Sequence, residues 1–166
     1  MFQTTAYPDD GRGRDAASPF PHMPEHAGGA FDCEPFTDGD SEVSLVRLRV
    51  LVVDDAPDVT EMIAIMMSYA GYQVATAFSA PEAFDAARRE QFDAVISDIG
   101  MPGMNGYQLA EALRALPGYE SIPLIAVTGF TMYDDRERAR AAGFDGFLTK
   151  PINPSDLIDA VKRLCG

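Results

Sequence analysis

The amino-acid sequence predicts an α/β domain, because short apolar segments of β type alternate with segments of helical periodicity five times along the chain. Five successive βα units predict a five-stranded parallel sheet with helices on both faces, which is a (βα)5 three-layer sandwich. Right-handed crossovers leave few strand orders, and a flavodoxin-like order fits a domain of this length. The predicted domain occupies residues 47–166.

Residues 1–46 differ from the rest of the chain. They hold nine acidic and two basic residues, which gives a net charge of 2 − 9 = −7, and five of the twelve prolines. They show no apolar periodicity of helical or strand type. Because such a segment cannot bury enough apolar surface to offset its loss of conformational entropy, we expect a disordered tail.

The first two βα units begin at residue 49. Residues 49–53 form a nearly continuous apolar run, which is typical of a buried strand. Helical spacing follows over 57–70, and Gly71 stands where helices commonly end. The apolar stripe of this helix, which predicts a core face, is Val59, Met62, Ile63, Met66 and Met67.

The second strand is predicted over 72–78. Ser79 and Glu82 form a capping-box pair before a helix that ends near residue 90. The third strand is predicted over 93–97, and Asn105 with Gln108 repeats the capping-box pattern before a helix that ends near residue 116.

The last two units complete the series. The fourth strand is predicted over 122–127, and a helix with a polar face over 131–142 is ended by Gly143. The fifth strand is predicted over 144–148. Asn153 and Pro154 then begin the last helix, where proline in the first turn lacks only an N–H that would be unpaired anyway.

Polar residues stand where the predicted strands end. Asp54 and Asp55 follow the first strand, Asp98 the third, Thr128 the fourth, and Lys150 comes two residues after the fifth. Because ligands of open parallel sheets bind at the carboxyl ends of the strands, we expect these side chains to converge at one edge. Taken singly, each residue also fits a helix cap, a turn or a surface ion pair.

Three carboxylates at one edge repel one another unless a cation lies between them. Oxygen ligands without histidine or cysteine favour Mg²⁺, with Mn²⁺ as an alternative, and Mg²⁺ sites commonly include phosphate oxygens. A lysine and a threonine hydroxyl are suited to bind such oxygens, and a metal-bound carboxylate is a competent nucleophile toward phosphorus. The chain has no Gly-rich nucleotide-binding motif of the Walker or Gly-x-Gly-x-x-Gly type.

The overall charge and composition restrict the partners. A net charge of −13 argues against a basic nucleic-acid-binding face, and no apolar run is long enough to cross a membrane. No secretory signal precedes the domain, and Cys33 and Cys165 have no metal-binding spacing. The expected location is the cytoplasm.

Residues 49–164 resemble a response-regulator receiver domain of two-component signalling, in particular the single-domain receivers of chemotaxis. The resemblance rests on four motifs in family order. They are Val52-Val53-Asp54-Asp55, Asp98-Ile99-Gly100-Met101-Pro102-Gly103-Met104-Asn105-Gly106, Ala126-Val127-Thr128-Gly129 and Leu148-Thr149-Lys150-Pro151.

The resemblance implies that Asp98 accepts a phosphoryl group from a histidine kinase or a histidine phosphotransfer protein. It implies Mg²⁺ bound by Asp55, Asp98 and the carbonyl of Gly100, with Asp54 assisting. Thr128 and Lys150 would bind the phosphoryl oxygens.

A cis peptide before Pro151 is implied as well. The family couples its threonine to an aromatic residue of the fifth strand in a conformational switch, here Thr128 and Phe147. Phenylalanine at that position lacks the hydroxyl that tyrosine would offer.

The expected function is therefore Mg²⁺-dependent phosphoryl acceptance, in which the protein catalyses only its own phosphorylation and dephosphorylation. Since the chain ends at Gly166, directly after the last helix, we expect output through a downstream protein or a phosphorelay.

Three alternatives are the receiver part of a hybrid histidine kinase, a phosphorylation-independent pseudo-receiver, and a phosphohydrolase. The last commonly has a second acid two residues after its nucleophile, where this chain has Gly100.

Overall fold

The computed structural model describes residues 47–129 and 134–166, in which five strands and five helices alternate. The strands are β1 (Arg49–Val53), β2 (Gln73–Ala77), β3 (Ala94–Asp98), β4 (Leu124–Thr128) and β5 (Gly146–Thr149). The helices are α1 (Pro57–Tyr69), α2 (Ala80–Arg89), α3 (Gly106–Arg114), α4 (Asp135–Ala142) and α5 (Pro154–Cys165). The tail predicted for residues 1–46 and the predicted start of the fourth helix at residue 131 lie outside the described residues.

All five strands pair in parallel, in the order β2-β1-β3-β4-β5. This order confirms the predicted flavodoxin-like fold. The register pairs Val53 with Ser97 and Asp98 with Val127. The carboxyl ends of β1, β3 and β4 therefore lie side by side.

Alternate residues of the strands enter two separate hydrophobic cores. In β4, Ala126 faces the core formed with α2, α3 and α4, whereas Ile125 and Val127 face the core formed with α1 and α5. The sheet is thus buried on both faces, which explains why its strands read as continuous apolar runs. Of the stripe predicted for α1, Ile63 and Met67 are buried, and Val59 and Met66 are partly buried against the same core. Met62 is 40% exposed and is not part of this core.

Strand β3 begins one residue later than predicted and β5 two residues later, and in each case the acidic residue just before the strand accepts a backbone hydrogen bond through its side chain. The carboxylate of Asp93 accepts a hydrogen bond from the backbone N–H of Arg49 at 2.7 Å, so β3 begins only at Ala94. The carboxylate of Asp145 accepts one from the N–H of Leu124 at 2.9 Å, so β5 begins at Gly146. At the other end of β3, pairing continues through Asp98, one residue beyond the predicted limit.

The predicted caps are present with one difference. Asn105 and Gln108 form the complete capping box of α3. At α2, Ser79 accepts from the N–H of Glu82, but the Glu82 carboxylate accepts from the N–H of Phe78 rather than from Ser79. Gly143 ends α4 with a φ of 111°, a left-handed conformation that favours glycine.

A single arginine binds two connections, α3–β4 and α4–β5, at the amino-terminal edge of the sheet. The guanidinium of Arg114 donates to the carbonyl oxygen of Gly143 at 2.6 and 3.0 Å and to the carboxylate of Asp145 at 2.7 Å. It also donates to three carbonyl oxygens of the α3–β4 connection, those of Tyr119, Glu120 and Ile122. The carboxyl end of α4 is thereby fixed to the sheet, on the side opposite the predicted site.

Among the described residues, none of the helices combines the length and the apolar character that crossing a membrane requires.

Candidate functional site

Three carboxylates meet at the carboxyl edge of the sheet, as the sequence predicts. Asp54 follows β1 and Asp98 ends β3, and both are buried, with exposed fractions of 1% and 6%. Asp55 is exposed. One carboxylate oxygen from each of the three lies within 4.8 Å of the others. Carboxylate oxygens this close together are candidate ligands of one divalent cation.

Asp54 is held in place by the loop that follows β1. Its Oδ1 accepts a hydrogen bond from the N–H of Ala56 at 2.9 Å. The hydroxyl of Thr60 lies within 2.9 Å of the carbonyl oxygen of Asp54 and 3.0 Å of that of Ala56. Thr60 is fully buried, and its contact with the loop after β1 was not predicted from the sequence. The sequence signal for it is a lone threonine in the first helical turn after two aspartates.

Lys150 connects the carboxylates of two strands. Its Nζ donates to Oδ2 of Asp54 at 2.7 Å and lies 3.3 Å from Oδ1 of Asp98. Its backbone N–H donates to the carbonyl oxygen of Thr128 at 2.8 Å, and the peptide bond to Pro151 is cis, as predicted. The lysine is thus fixed by both its backbone and its side chain.

Asp98 and Lys150 shift each other's pKa. Burial raises the pKa of the Asp98 carboxyl above its ordinary value, although the ammonium of Lys150 opposes this, and the charge of Asp54 adds to the increase. Burial by itself lowers the pKa of Lys150, but its hydrogen bond to Asp54 and the charge of Asp98 outweigh burial, so this pKa is raised. Lys150 therefore carries a positive charge at neutral pH, and added positive charge at the site would favour ionised Asp98.

The loop after Asp98 returns very close to the strand. The N–H of Gly106 donates to the carbonyl oxygen of Ile99 at 3.0 Å. A Cβ at Gly106 would lie 2.3 Å from the carbonyl oxygen of Asp98, so this position has no room for a side chain. A Cβ at Gly100 would lie 3.7 Å from Oδ2 of Asp98, which places the Gly100 backbone beside the buried carboxylate.

The remaining predicted residues lie on the two strands at the β5 edge. Thr128 is the last residue of β4 and is buried. Phe147 is half-buried in β5 and pairs with Ala126, so it is not part of the carboxylate cluster. The Arg136 guanidinium lies over its ring, with Cζ 5.4 Å from the ring centroid. This contact was not predicted from the sequence.

Comparison with known proteins identifies relatives for most of the described region. Residues 50–162 match the family model of the response regulator receiver domain. The chain is 38% identical over 122 residues to an uncharacterized 14.6 kDa protein of Leptolyngbya boryana, covering 74% of this chain and 93% of that protein. It is 34% identical to the sensor protein GacS of Pseudomonas syringae, covering 71% of this chain but only 13% of that protein.

Solved structures show the same similarity. The chemotaxis protein CheY4 of Vibrio cholerae matches with a TM-score of 0.69 and 34% identity, over 71% of this chain and 98% of that one. The receiver domain of the sensor histidine kinase PA1611 from Pseudomonas aeruginosa, solved with a magnesium ion coordinated in its active site cleft, matches with a TM-score of 0.68 and 29% identity. That match covers 72% of this chain and 98% of that one.

Proposed function

Because the chain belongs to the response regulator receiver domain family, we propose that it accepts a phosphoryl group on Asp98 from a phosphohistidine of a histidine kinase or a histidine phosphotransfer protein. The observation that carries the proposal is the burial of Asp98 at the end of β3, beside two further carboxylates and the ammonium of Lys150. We assign the receiver domain to residues 47–166.

In the proposed transfer, a carboxylate oxygen of Asp98 attacks the phosphorus atom. A P–O bond forms and the P–N bond of the phosphohistidine breaks, and the departing imidazole nitrogen keeps the electron pair and takes a proton from solvent. Lys150 would bind the phosphoryl oxygens, and the 3.3 Å separation of its Nζ from Oδ1 of Asp98 supports this role. The hydroxyl of Thr128, at the end of the adjacent strand, is the second proposed donor.

Hydrolysis of the acyl phosphate by water returns the Asp98 carboxylate and inorganic phosphate. The protein thus catalyses only its own phosphorylation and dephosphorylation, and the proposal includes no external substrate beyond the phosphodonor.

The carboxylate set fits Mg²⁺, with Mn²⁺ as the alternative ion. Mg²⁺ binds oxygen at about 2.1 Å, so two oxygens on opposite sides of the ion lie about 4.2 Å apart. One oxygen from each of the three carboxylates lies within 4.8 Å of the others, which supports a shared cation at this edge. Asp55, Asp98 and the carbonyl of Gly100 would bind the ion directly and Asp54 would assist, and the bound ion would reduce the repulsion between the carboxylates and the phosphoryl group.

Phosphorylation adds about two negative charges at the edge of the sheet. We propose that Thr128 and Phe147 then move together and change the surface formed by α4, β5 and α5, which contacts a downstream protein. A phosphorelay partner is the alternative recipient. The proposed location is the cytoplasm, and neither nucleic acid nor membrane is a proposed partner.

The similarity to sensor histidine kinases supports one alternative context, in which these residues are the receiver part of a hybrid kinase. The phosphoryl chemistry of Asp98 is the same in both contexts. The two differ in whether the phosphodonor belongs to the same polypeptide.

The test is the intact mass of the protein after incubation with Mg²⁺ and acetyl phosphate. The wild type should gain the mass of one phosphoryl group, whereas Asp98→Asn and a wild-type sample with excess EDTA should gain none. Equal uptake by the wild type and Asp98→Asn would reject the assignment of Asp98. No uptake by the wild type from acetyl phosphate or from phosphorylated kinases would favour a phosphorylation-independent binding module.

A further inference from the structure

The first turn of α4 carries an arginine that binds an aromatic ring of the adjacent strand. Arg136 is the second residue of α4, and its guanidinium lies over the ring of Phe147 in β5, with Cζ 5.4 Å from the centroid. Over residues 47–129 and 134–166, no carboxylate forms an ion pair with this guanidinium. The face of the ring is therefore a principal partner of this charge.

The ring of Phe147 lies between the protein interior and a surface groove. One side packs against the core shared by α2, α3 and α4. Phe147 also lines two grooves of about 410 and 240 Å³, and Arg136 lines both of them. The ring therefore has open space on its outer side, where the guanidinium lies.

A route from this outer position toward Thr128 follows from the strand register. Phe147 pairs with Ala126, which faces the same core as the ring. Thr128 comes two residues later in β4 and therefore faces the same side of the sheet. Between these two positions, this face of β4 carries only the buried methyl group of Ala126, so the ring would pass over a small side chain on its way toward Thr128.

We propose that Arg136 is a positioning residue for the switch: its cation–π contact stabilises the outer position of Phe147 and thereby opposes phosphoryl binding. This inference rests on the proposed function, because it takes Phe147 as the ring that moves inward when Asp98 is phosphorylated. A tyrosine at position 147 would be stabilised in the outer position by its hydroxyl, and here the guanidinium of Arg136 provides this stabilisation instead. Removing it should raise the population of the inner position.

An exposed cation–π contact corresponds to about a two- to five-fold change in an equilibrium constant. When the binding-competent state is the minor one, the apparent affinity of a ligand rises in proportion to its population. Arg136→Gln should therefore tighten the binding of a phosphoryl analogue by about two- to five-fold.

The experiment measures the affinity of beryllofluoride, which forms a tetrahedral adduct with a carboxylate oxygen, by calorimetry at saturating Mg²⁺. The variants are Arg136→Gln, Arg136→Lys and Arg140→Gln. Arg140 lines the same groove one helical turn later, so it controls for the loss of groove charge. Arg136→Gln should bind more tightly, Arg136→Lys should lie nearer the wild type, and Arg140→Gln should equal the wild type.

A double-mutant cycle separates positioning from general destabilisation. In a Phe147→Leu background, Arg136→Gln should leave the affinity unchanged, because leucine offers no aromatic face. The ring resonances of Phe147 in unliganded Arg136→Gln should move toward their beryllofluoride-bound positions in wild-type spectra, which loss of helix stability alone would not produce.

The outcomes distinguish the inference from the proposed function. If the wild type does not bind beryllofluoride at all, both are rejected. If the wild type binds it and Arg136→Gln binds equally, or if Arg136→Gln has the same effect with leucine at position 147, the role of Arg136 is rejected and the function of Asp98 stands.

Discussion

Replacement of Gly106 by alanine would place a methyl group where the backbone leaves no space. The Cβ would lie 2.3 Å from the carbonyl oxygen of Asp98 and 2.8 Å from Cα of Ile99. Both are backbone atoms, so no side-chain rotation can relieve the overlap. An ordinary separation requires a displacement of about 1 Å between α3 and the end of β3.

The expected cost follows from two opposing effects. Overpacking costs roughly 1–3 kcal/mol, and a clash with backbone belongs near the upper end of that range. Alanine gains at most about 1 kcal/mol of helix propensity over glycine. The net loss should be about 2 kcal/mol, which lowers the midpoint of thermal unfolding by roughly 8 °C for a domain of this size.

The displacement should also reduce the rate of phosphorylation. The overlap falls on the backbone of Asp98 itself, and a misplacement of about 1 Å at a reacting group can reduce the rate about 100-fold. Intact-mass measurements over time with acetyl phosphate and Mg²⁺ should show a rate for Gly106→Ala that is 10- to 100-fold lower. Thermal denaturation on the same samples separates slow chemistry from unfolding.

Gly103→Ala is the matched control in the same loop. Gly103 has a φ of 76° and no atom within 4 Å of a built Cβ, so alanine there costs only backbone strain, about 1 kcal/mol. Its phosphorylation rate should remain close to that of the wild type. Equal stability and equal rates for Gly106→Ala and Gly103→Ala would refute the argument that the close approach of α3 positions Asp98.

Three further predictions concern charged residues. Burial raises the pKa of Asp98, so ionisation of this carboxyl makes the folded state less stable as the pH rises. Asp98→Asn should therefore stabilise the metal-free protein at pH 7. This gain in stability should disappear below about pH 4, where the wild-type carboxyl is also neutral. Urea denaturation across this range tests the prediction, and a gain independent of pH would contradict it. Lys150→Met leaves the buried Asp54 without its ammonium partner and should lower the free energy of unfolding in urea by roughly 1–3 kcal/mol. This is less than for a fully buried pair, because Lys150 is partly exposed. Unchanged stability would show that the pair contributes nothing. Arg114→Met removes the hydrogen bonds to the carbonyl oxygen of Gly143 and to the carboxylate of Asp145, and it should lower the free energy of unfolding by roughly 2–4 kcal/mol. The initial rate of phosphorylation of the folded fraction should be unchanged. A loss of rate larger than the unfolded fraction explains would contradict a purely structural role for Arg114.

The fold and the placement of the site could be predicted because both depend on local patterns. Apolar runs ended by Asp54, Asp98 and Thr128 identify the carboxyl ends of three strands, and parallel topology brings these ends together. The capping box of Asn105 and Gln108 is likewise a local signal, and it is present as predicted. The strand starts are not specified locally, because hydrogen bonds to side chains there, such as that of Asp93, depend on residues distant in sequence.

Contacts between side chains far apart in the sequence could not be predicted. The guanidinium of Arg114 reaches residues 29 and 31 positions away, and no periodic pattern reports such a pairing. The sequence suggested Lys150 as a ligand of phosphoryl oxygens, but its ion pair with Asp54 depends on how β1 and β5 are placed across the sheet edge. The position of Arg136 over an aromatic ring depends on the packing of α4 against β5 and has no sequence signal.

Helix α4 is anchored unequally at its two ends. Its carboxyl end is hydrogen-bonded to Arg114 through the carbonyl oxygen of Gly143. In its first turn, the carboxylate of Asp135 accepts a hydrogen bond from the hydroxyl of Tyr107, and the guanidinium of Arg136 lies over the ring of Phe147. With eight residues and about 1.5 Å of rise per residue, the helix is about 12 Å long. A displacement of about 1 Å at the first turn, with the other end fixed, is a rotation of about 5°. In the proposed switch, movement that begins near Thr128 would tilt α4 about its carboxyl end, and the groove against β5 would change width near the first turn while its opposite end would keep its dimensions.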